Sequence, residues 1–429
     1  MSGSRSNSLP EKPGSMPGFS RWVILILVSL AMFGNYYVYD CVEPLADVLK
    51  SQLQFSDKNI GLLQAIYSTP NIFMVLIGGI IIDRIGTRRA ALLFSIICLA
   101  GAALTALEGS IRVMAAGRLL FGLGAESLIV AATTALAKWF RGRQLSFAFG
   151  LNLTISRLGT YAAQTSPLWA TGLYLSWRKP LLLALGFAGI SVVGALVYFV
   201  FESYLERRYE VGNAGETDKV VFKDIWSFGK SYWLIVALCI TFYSGIFPFL
   251  TFAYKFFIEA HGLSRERASI LISSLTLAAM IFTPLFGLLV DRVGRRSLFM
   301  MVGSLLLMPV YLLMAYSTSP LFVPLAMMGI SFSLIPAIMW PSVAYVVEQG
   351  KLGTAYGLMT MIQNIGLTAF NLLIGWANDT ARAGVDNPGG YALGMWIFSC
   401  LGFFGFLFAL LLRKNESGPN AHGLETITT

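Results

Sequence analysis

Apolar runs of about twenty residues recur from Trp22 to Leu412, each long enough to cross ~30 Å of hydrocarbon as a helix. In lipid, only helices and closed barrels satisfy every backbone donor and acceptor. Runs of this length and hydropathy are helices, not barrel strands. Of the 429 residues, 56% are apolar and 12% charged. Twelve spans are expected, over 22–44, 59–82, 90–108, 112–136, 145–175, 180–201, 232–257, 267–290, 297–316, 320–347, 354–377 and 391–412. The first run is too long for a cleavable leader and is kept as a span. Cys41, Cys98, Cys239 and Cys400 lie in or at the ends of spans without metal-ligand spacing, and read as small apolar packing residues. Residues 1–20, rich in Ser, Gly and Pro, are expected to be a disordered tail.

The formal charge of +9 is a topology signal. With twelve spans, both tails and the even-numbered loops share one side, and that side holds 20 of the 31 Lys and Arg residues. The opposite side holds eight, and Arg118, Arg157 and Lys255 fall within spans. The positive-inside rule then places both tails in the cytosol. Nucleic-acid binding is not expected.

A repeat divides the chain. The stretch GGIIIDRIGTRR, from Gly78, returns as FGLLVDRVGRR, from Phe286, with Asp83 matching Asp291 and Gly86 matching Gly294 at an offset of 208. FGLNLTISRLG, ending at Gly159, parallels YGLMTMIQNIG, ending at Gly366, at an offset of 207. The reading is therefore an all-α polytopic membrane protein of two pseudo-symmetric six-helix bundles, 21–201 and 231–413. A charged connector covers 202–230, and a second tail covers 414–429. Two such repeats around a central cavity are the architecture of many secondary transporters. The twice-placed pattern Gly-x-x-x-Asp-Arg-x-Gly followed by arginines resembles the signature of the major facilitator superfamily. Its glycines allow close helix approach, and its carboxylates can hold an Arg or a helix N-terminus. The resemblance implies a latch that shuts the cytosolic side, formed by Asp83, Arg84, Arg88, Asp291 and Arg292. The blander alternative is a set of orientation charges only.

Two charges lie where charge is expensive. Glu126 sits in RLLFGLGAESLIVAATTALAKWF and Arg157 in LSFAFGLNLTISRLGTYAAQTSPLW. Glu126 lies 12 residues before Lys138, and Arg157 lies 12 after Leu145. Both are thus ~18 Å from the same surface on adjacent spans. Thr154, Arg157, Tyr161 and Gln164 share one helix face. Tyr356, Thr360, Gln363, Asn364 and Asn371 form a similar stripe in the second half, with Asn364 at the repeat position of Arg157. Span 1 adds Asn35, Tyr36, Tyr37, Tyr39 and Asp40. Span 10 adds Trp340 between Pro336 and Pro341, where a kinked helix is a candidate gate. An Arg grips a carboxylate bidentately and a Glu holds an ammonium, so the pair suits a zwitterion such as a dipeptide, whose termini are ~7 Å apart. The alternative is a structural Glu–Arg bridge that locks two helices.

The stretches around Glu126 and Arg157, with MWPSVAYVV and LGTAYGLMTMIQNIGLT, resemble the lysosomal dipeptide uniporter branch of the superfamily and its bacterial relatives. In that branch the matching Glu and Arg contact the peptide's termini. The resemblance implies substrate contact by Glu126 and Arg157, and facilitated uniport by alternating access. No acidic dileucine sorting signal is found in either tail, and the tails are short, so a bacterial inner membrane is expected. An accessory protein does not carry over.

Arg118 with Gly122 resembles a further superfamily motif linked to gating or proton coupling; holding spans 1 and 4 together is the alternative. Asp40 and Glu126 are candidate proton sites, although Asp40 and Glu43, at a span end, are also readable as solvated. Lys255 is expected to snorkel to the outer surface. No nucleophile elbow, metal cluster or Walker sequence occurs, so neither an enzyme nor an ATP-driven pump is expected, and no cofactor. Two rival functions stay open: a proton-coupled symporter of small organic anions or sugar acids, and a non-transporting sensor or scaffold.

Overall fold

The computed structural model describes residues 19–140, 144–208, 227–317, 320–419 and 421–426. Residues 1–18, where a disordered tail is expected, lie outside the described residues, as does most of the connector, 209–226. The helices of the first half are α1 (Ser20–Asp40), α2 (Ala46–Leu53), α3 (Asp57–Ile85), α4 (Thr87–Leu107), α5 (Ile111–Phe140), α6 (Leu145–Trp169) and α7 (Arg178–Arg208). Those of the second are α8 (Lys230–Glu259), α9 (Arg265–Val293), α10 (Arg296–Tyr316), α11 (Phe322–Val346), α12 (Leu352–Thr380) and α13 (Ala392–Glu416). Setting aside the short α2, these are the twelve expected spans.

Ten of them are long and apolar enough to cross a membrane singly, and α3, bent by 57° between Met74 and Ile77, makes an eleventh. The twelfth, α6, falls short of that measure because Asn152, Thr154, Ser156, Arg157, Thr160 and Gln164 interrupt its apolar character. The repeat also extends to the caps. Ser56 accepts the Asn59 N–H at 3.2 Å to start α3, and Ser264 accepts the Arg267 N–H at 3.3 Å to start α9, again 208 residues apart.

Three segments differ from the sequence reading. Span 1 stops at Asp40, and a 3-10 turn (Glu43–Leu45) leads into α2 across the face opposite the tails, called here the far face. Residues 202–208, expected in the connector, instead continue α7. Ion pairs hold them there: Glu202 accepts from Lys138 Nζ and Trp139 Nε1, both at 2.9 Å, and Glu206 takes Lys138 at 2.6 Å and also Arg88. Near the second tail, the Leu424 carbonyl accepts the Arg296 N–H at 3.2 Å, and the Glu425 carboxylate accepts the Ser297 N–H at 3.0 Å. This segment thus supplies acceptors to the free donors that begin α10. Although Pro336 and Pro341 lie inside it, α11 runs unbroken from Phe322 to Val346.

The halves meet through α3 against α12 and α6 against α9. Close approach is built into the first pair. A Cβ added at Gly61 would stand 2.2 Å from the Asn371 carbonyl, and one at Gly375 would stand 2.5 Å from that of Asp57. Both contacts lie toward the far face. Toward the tail face, Phe73, Ile77 and Ile80 of α3 are exposed, as are Phe282, Leu285 and Leu288 of α9. The halves are closed at the far face and part toward the tails.

Candidate functional site

Glu126 lies 15 residues from the start of α5 and 14 from its end, and Arg157 lies 12 from either end of α6. Each is therefore at mid-helix and mid-membrane. Both side chains are half-buried. Among the described residues neither makes a hydrogen bond or an ion pair, so the structural bridge considered from sequence is not formed. The Arg157 guanidinium instead lies over the ring of Phe332, 5.8 Å from its centroid, on α11 of the other half. A ring contact of this kind gives the guanidinium N–H groups no oxygen acceptor and leaves them available to a carboxylate.

Around Glu126 the walls are phenolic. Tyr36, Tyr39 and Tyr67 are within electrostatic range of its carboxylate, and Tyr36 is also within range of Arg157 and Asp40. Along α1, Phe33, Tyr36 and Tyr39 are the half-exposed residues of a helix otherwise largely buried here, one face at i, i+3 and i+6. Facing them, α8 is buried on nearly all sides except at positions such as Tyr243 and Phe247, one turn apart. Trp340 donates to the Tyr243 hydroxyl at 2.9 Å, and the Tyr356 hydroxyl donates to the Trp340 carbonyl at 3.2 Å. Tyr161, Thr360 and Gln363 are half-buried on the same inner faces of α6 and α12.

Other expected site residues lie elsewhere. Asn35 is buried, with its side-chain oxygen unpartnered. Asn364 is buried and spends its amide on the Thr360 carbonyl at 3.0 Å, along its own helix. Asn371 accepts from Thr251 at 2.9 Å. Gln164 is 1% exposed and sits in the closure of the far face. Its side-chain oxygen accepts from Thr276 at 2.7 Å, and its carbonyl accepts from Ser269 at 2.6 Å and Tyr254 at 2.5 Å, all in the other half.

That closure has an ionic centre that sequence reasoning missed. Lys255, 0% exposed, binds both Asp57 oxygens at 2.5 and 2.6 Å, and Asp57 is 1% exposed. Glu259 lies 3.4 Å from the same ammonium and accepts the Tyr391 hydroxyl at 2.5 Å. Lys255 therefore does not snorkel; it is the partner of a carboxylate 198 residues away. The Asp379 carboxylate of α12 accepts the Asp57 and Lys58 N–H groups at 2.7 and 2.8 Å, a cap on α3 from the opposite half. Arg265 grips Asp47 through two nitrogens, at 2.8 and 2.5 Å. Asp40 and Glu43 are likewise not solvated: both are buried, and Gln164 donates to Glu43 at 3.4 Å.

Arg118 is buried and donates to the carbonyls of Val38, Tyr39 and Leu63 and, at 2.6 Å, to the Gln64 side chain. It cements α1, α3 and α5, the structural alternative left open for it. At the tail face, Asp83, Arg84 and Arg292 are exposed, Arg88 pairs with Glu206 of its own half, and Arg296 pairs with Asp291 at 3.0 Å.

Two six-helix bundles of this kind, with half-buried charges at mid-depth, have the architecture of a membrane transporter. The model of the Major Facilitator Superfamily matches residues 28–264 and 249–427, and the chain belongs to that family. It is 33% identical over 375 residues to the bovine (Bos taurus) lysosomal dipeptide transporter MFSD1, covering 84% of this chain and 80% of that protein. Identity to the human (Homo sapiens) protein of that name is 31% over 393 residues, covering 86% and 84%. Among solved structures, the nucleoside transporter NupG superposes with a TM-score of 0.74 at 14% identity, covering 91% of this chain and 99% of that one. The last likeness concerns the fold alone.

Proposed function

We propose that this transporter moves short peptides, dipeptides above all, by alternating access around Glu126 and Arg157. One observation carries the reading: opposite charges stand at one depth, half-buried, and neither makes a hydrogen bond or an ion pair among the described residues. An unpaired charge in a low-dielectric setting is costly, so a site that keeps two of them is prepared for a ligand that supplies both complements. A dipeptide does so, with an ammonium for Glu126 and a carboxylate for Arg157. Dipeptide transport, the function named for the mammalian relatives, supports the same class.

The Lys and Arg distribution supports a cytosolic tail face. The described conformation is then inward-open, with the Lys255–Asp57 closure on the outside. Peptide would cross as the halves rock from this state to one open at the far face. Uniport is the reading adopted for the mechanism, with the buried Asp40 and Glu43 as the groups to probe for proton linkage.

The test is a thermal-shift screen of the purified protein against di- and tripeptides, amino acids and organic acids. Dipeptides should stabilise it, and capping either terminus should weaken the effect. Equal stabilisation by doubly capped peptides, or stabilisation by amine-free sugar acids alone, would sink the zwitterion reading. Uptake into proteoliposomes separates a transporter from a binding scaffold.

A further inference from the structure

The wall facing Arg157 is aromatic and belongs to the other half of the molecule. We infer that Phe332, with Tyr243, Phe247 and Trp340, forms a receptor for the side chain of the carboxyl-terminal residue, so that this position selects large apolar residues. The inference rests on the dipeptide reading and specifies its substrates.

Three observations carry it. First, the only described contact of the Arg157 charged end is the Phe332 ring, 5.8 Å away across the gap between the halves. A carboxylate taken by the guanidinium edge has its own Cα one bond away, so the attached side chain starts about 8 Å from the ring centroid, a distance that a Leu or Phe side chain largely spans. Second, the rings form one continuous surface. Phe332 meets Phe247 edge-on at 6.0 Å, Phe247 stacks on Tyr243 at 5.5 Å, and Tyr243 meets Trp340 edge-on at 6.4 Å. Third, the indole donor of this surface is already spent within it. The Trp340 indole N–H donates to the Tyr243 hydroxyl at 2.9 Å, so apart from that hydroxyl's own proton what remains for a ligand is ring face.

The opposite end differs. Glu126 has the phenols of Tyr36, Tyr39 and Tyr67 within electrostatic range, and their hydroxyls suit polar and apolar neighbours alike. None of the four wall residues carries a charge. An acidic or basic side chain placed against them loses water and gains no charged partner. Selection is therefore expected at one end of the peptide only.

The experiment is competition against uptake of radiolabelled dialanine in proteoliposomes, with two series, Ala-X and X-Ala, where X is Gly, Leu, Phe, Asp or Lys. Ala-Leu and Ala-Phe should inhibit about tenfold or more better than Ala-Gly, the scale of burying one large apolar side chain, with Ala-Asp and Ala-Lys weakest. The X-Ala series should span a few-fold at most. In Phe332→Ala the advantage of Ala-Phe over Ala-Gly should shrink, while Phe332→Leu should keep most of it. A flat Ala-X series, a gradient in X-Ala instead, or an equal loss for Ala-Gly and Ala-Phe in the variant would overturn the inference. The wild-type series decides even if the alanine variant does not fold. Failure of the parent reading looks different: no peptide of either series would compete.

Discussion

At the level of single side chains, what decides function is which charges remain unpaired. Arg118, Arg157 and Lys255 are the three cations inside spans, and their fates diverge. Arg118 is exhausted on carbonyls and Gln64, Lys255 on two carboxylates, and Arg157 is left with a ring. Arg157→Ala and Glu126→Gln are therefore expected to abolish dipeptide uptake with normal expression and membrane insertion; full uptake by either variant would remove that residue from its role. Arg157→Lys keeps the charge but loses the two-pronged grip, so peptide affinity should fall about tenfold and not vanish. Arg118→Lys predicts another signature, loss of thermal stability in the absence of any ligand, because a point charge cannot serve four acceptors on α1 and α3. All three residues were visible in sequence as cations within spans, although Lys255 read as snorkelling to the surface. Their partners were not, since periodicity assigns a side chain to a helix face and says nothing of what faces it.

The helices themselves were largely legible, because a backbone in lipid has to hydrogen-bond to itself and so declares its spans by length. The errors fell at ends. Span 1 broke at Asp40 into a turn and α2, and α7 ran on to Arg208 because Glu202 and Glu206 found Lys138 and Arg88. The contact between α3 and α8 supplies a prediction of its own. Lys255→Met leaves Asp57 buried without a cation, and removing one partner of a buried pair costs about 3–5 kcal/mol. The closed far face should weaken accordingly. A cysteine placed at Thr276 should then react faster with a membrane-impermeant maleimide from outside. The double variant Lys255→Met with Asp57→Leu should restore much of the protection, since an apolar pair of similar volume relieves the unpaired charge. Labelling that stays slow in the single variant would show that the ion pair does not hold the closure.

For the whole molecule, the relevant quantity is the balance between two arrangements of the halves. Gly61 and Gly375 bring α3 and α12 into contact at the far face, where a Cβ would stand 2.2 and 2.5 Å from a carbonyl. Gly375→Leu should therefore disfavour far-face closure. The expected readouts are faster external labelling and slower uptake, with dipeptide binding retained; unchanged labelling would mean that this contact does not set the balance. At the tail face, Arg88 pairs with Glu206 and Arg296 with Asp291, each within its own half.

The linear sequence by itself determined the membrane solution, the number of long helices, the duplication at offsets of 207 and 208, and the two charges at mid-depth. These follow from local necessities: backbone satisfaction, helical period and the cost of charge in hydrocarbon. Tertiary structure alone decided that Gln164 and Lys255 close the far face, that Asp40 and Glu43 are buried, and that an aromatic surface confronts Arg157. Each of those facts joins residues from separate helices, most of them across the two halves. Only the packing of one bundle against the other brings such groups within the few ångströms over which ion pairs, hydrogen bonds and ring contacts act.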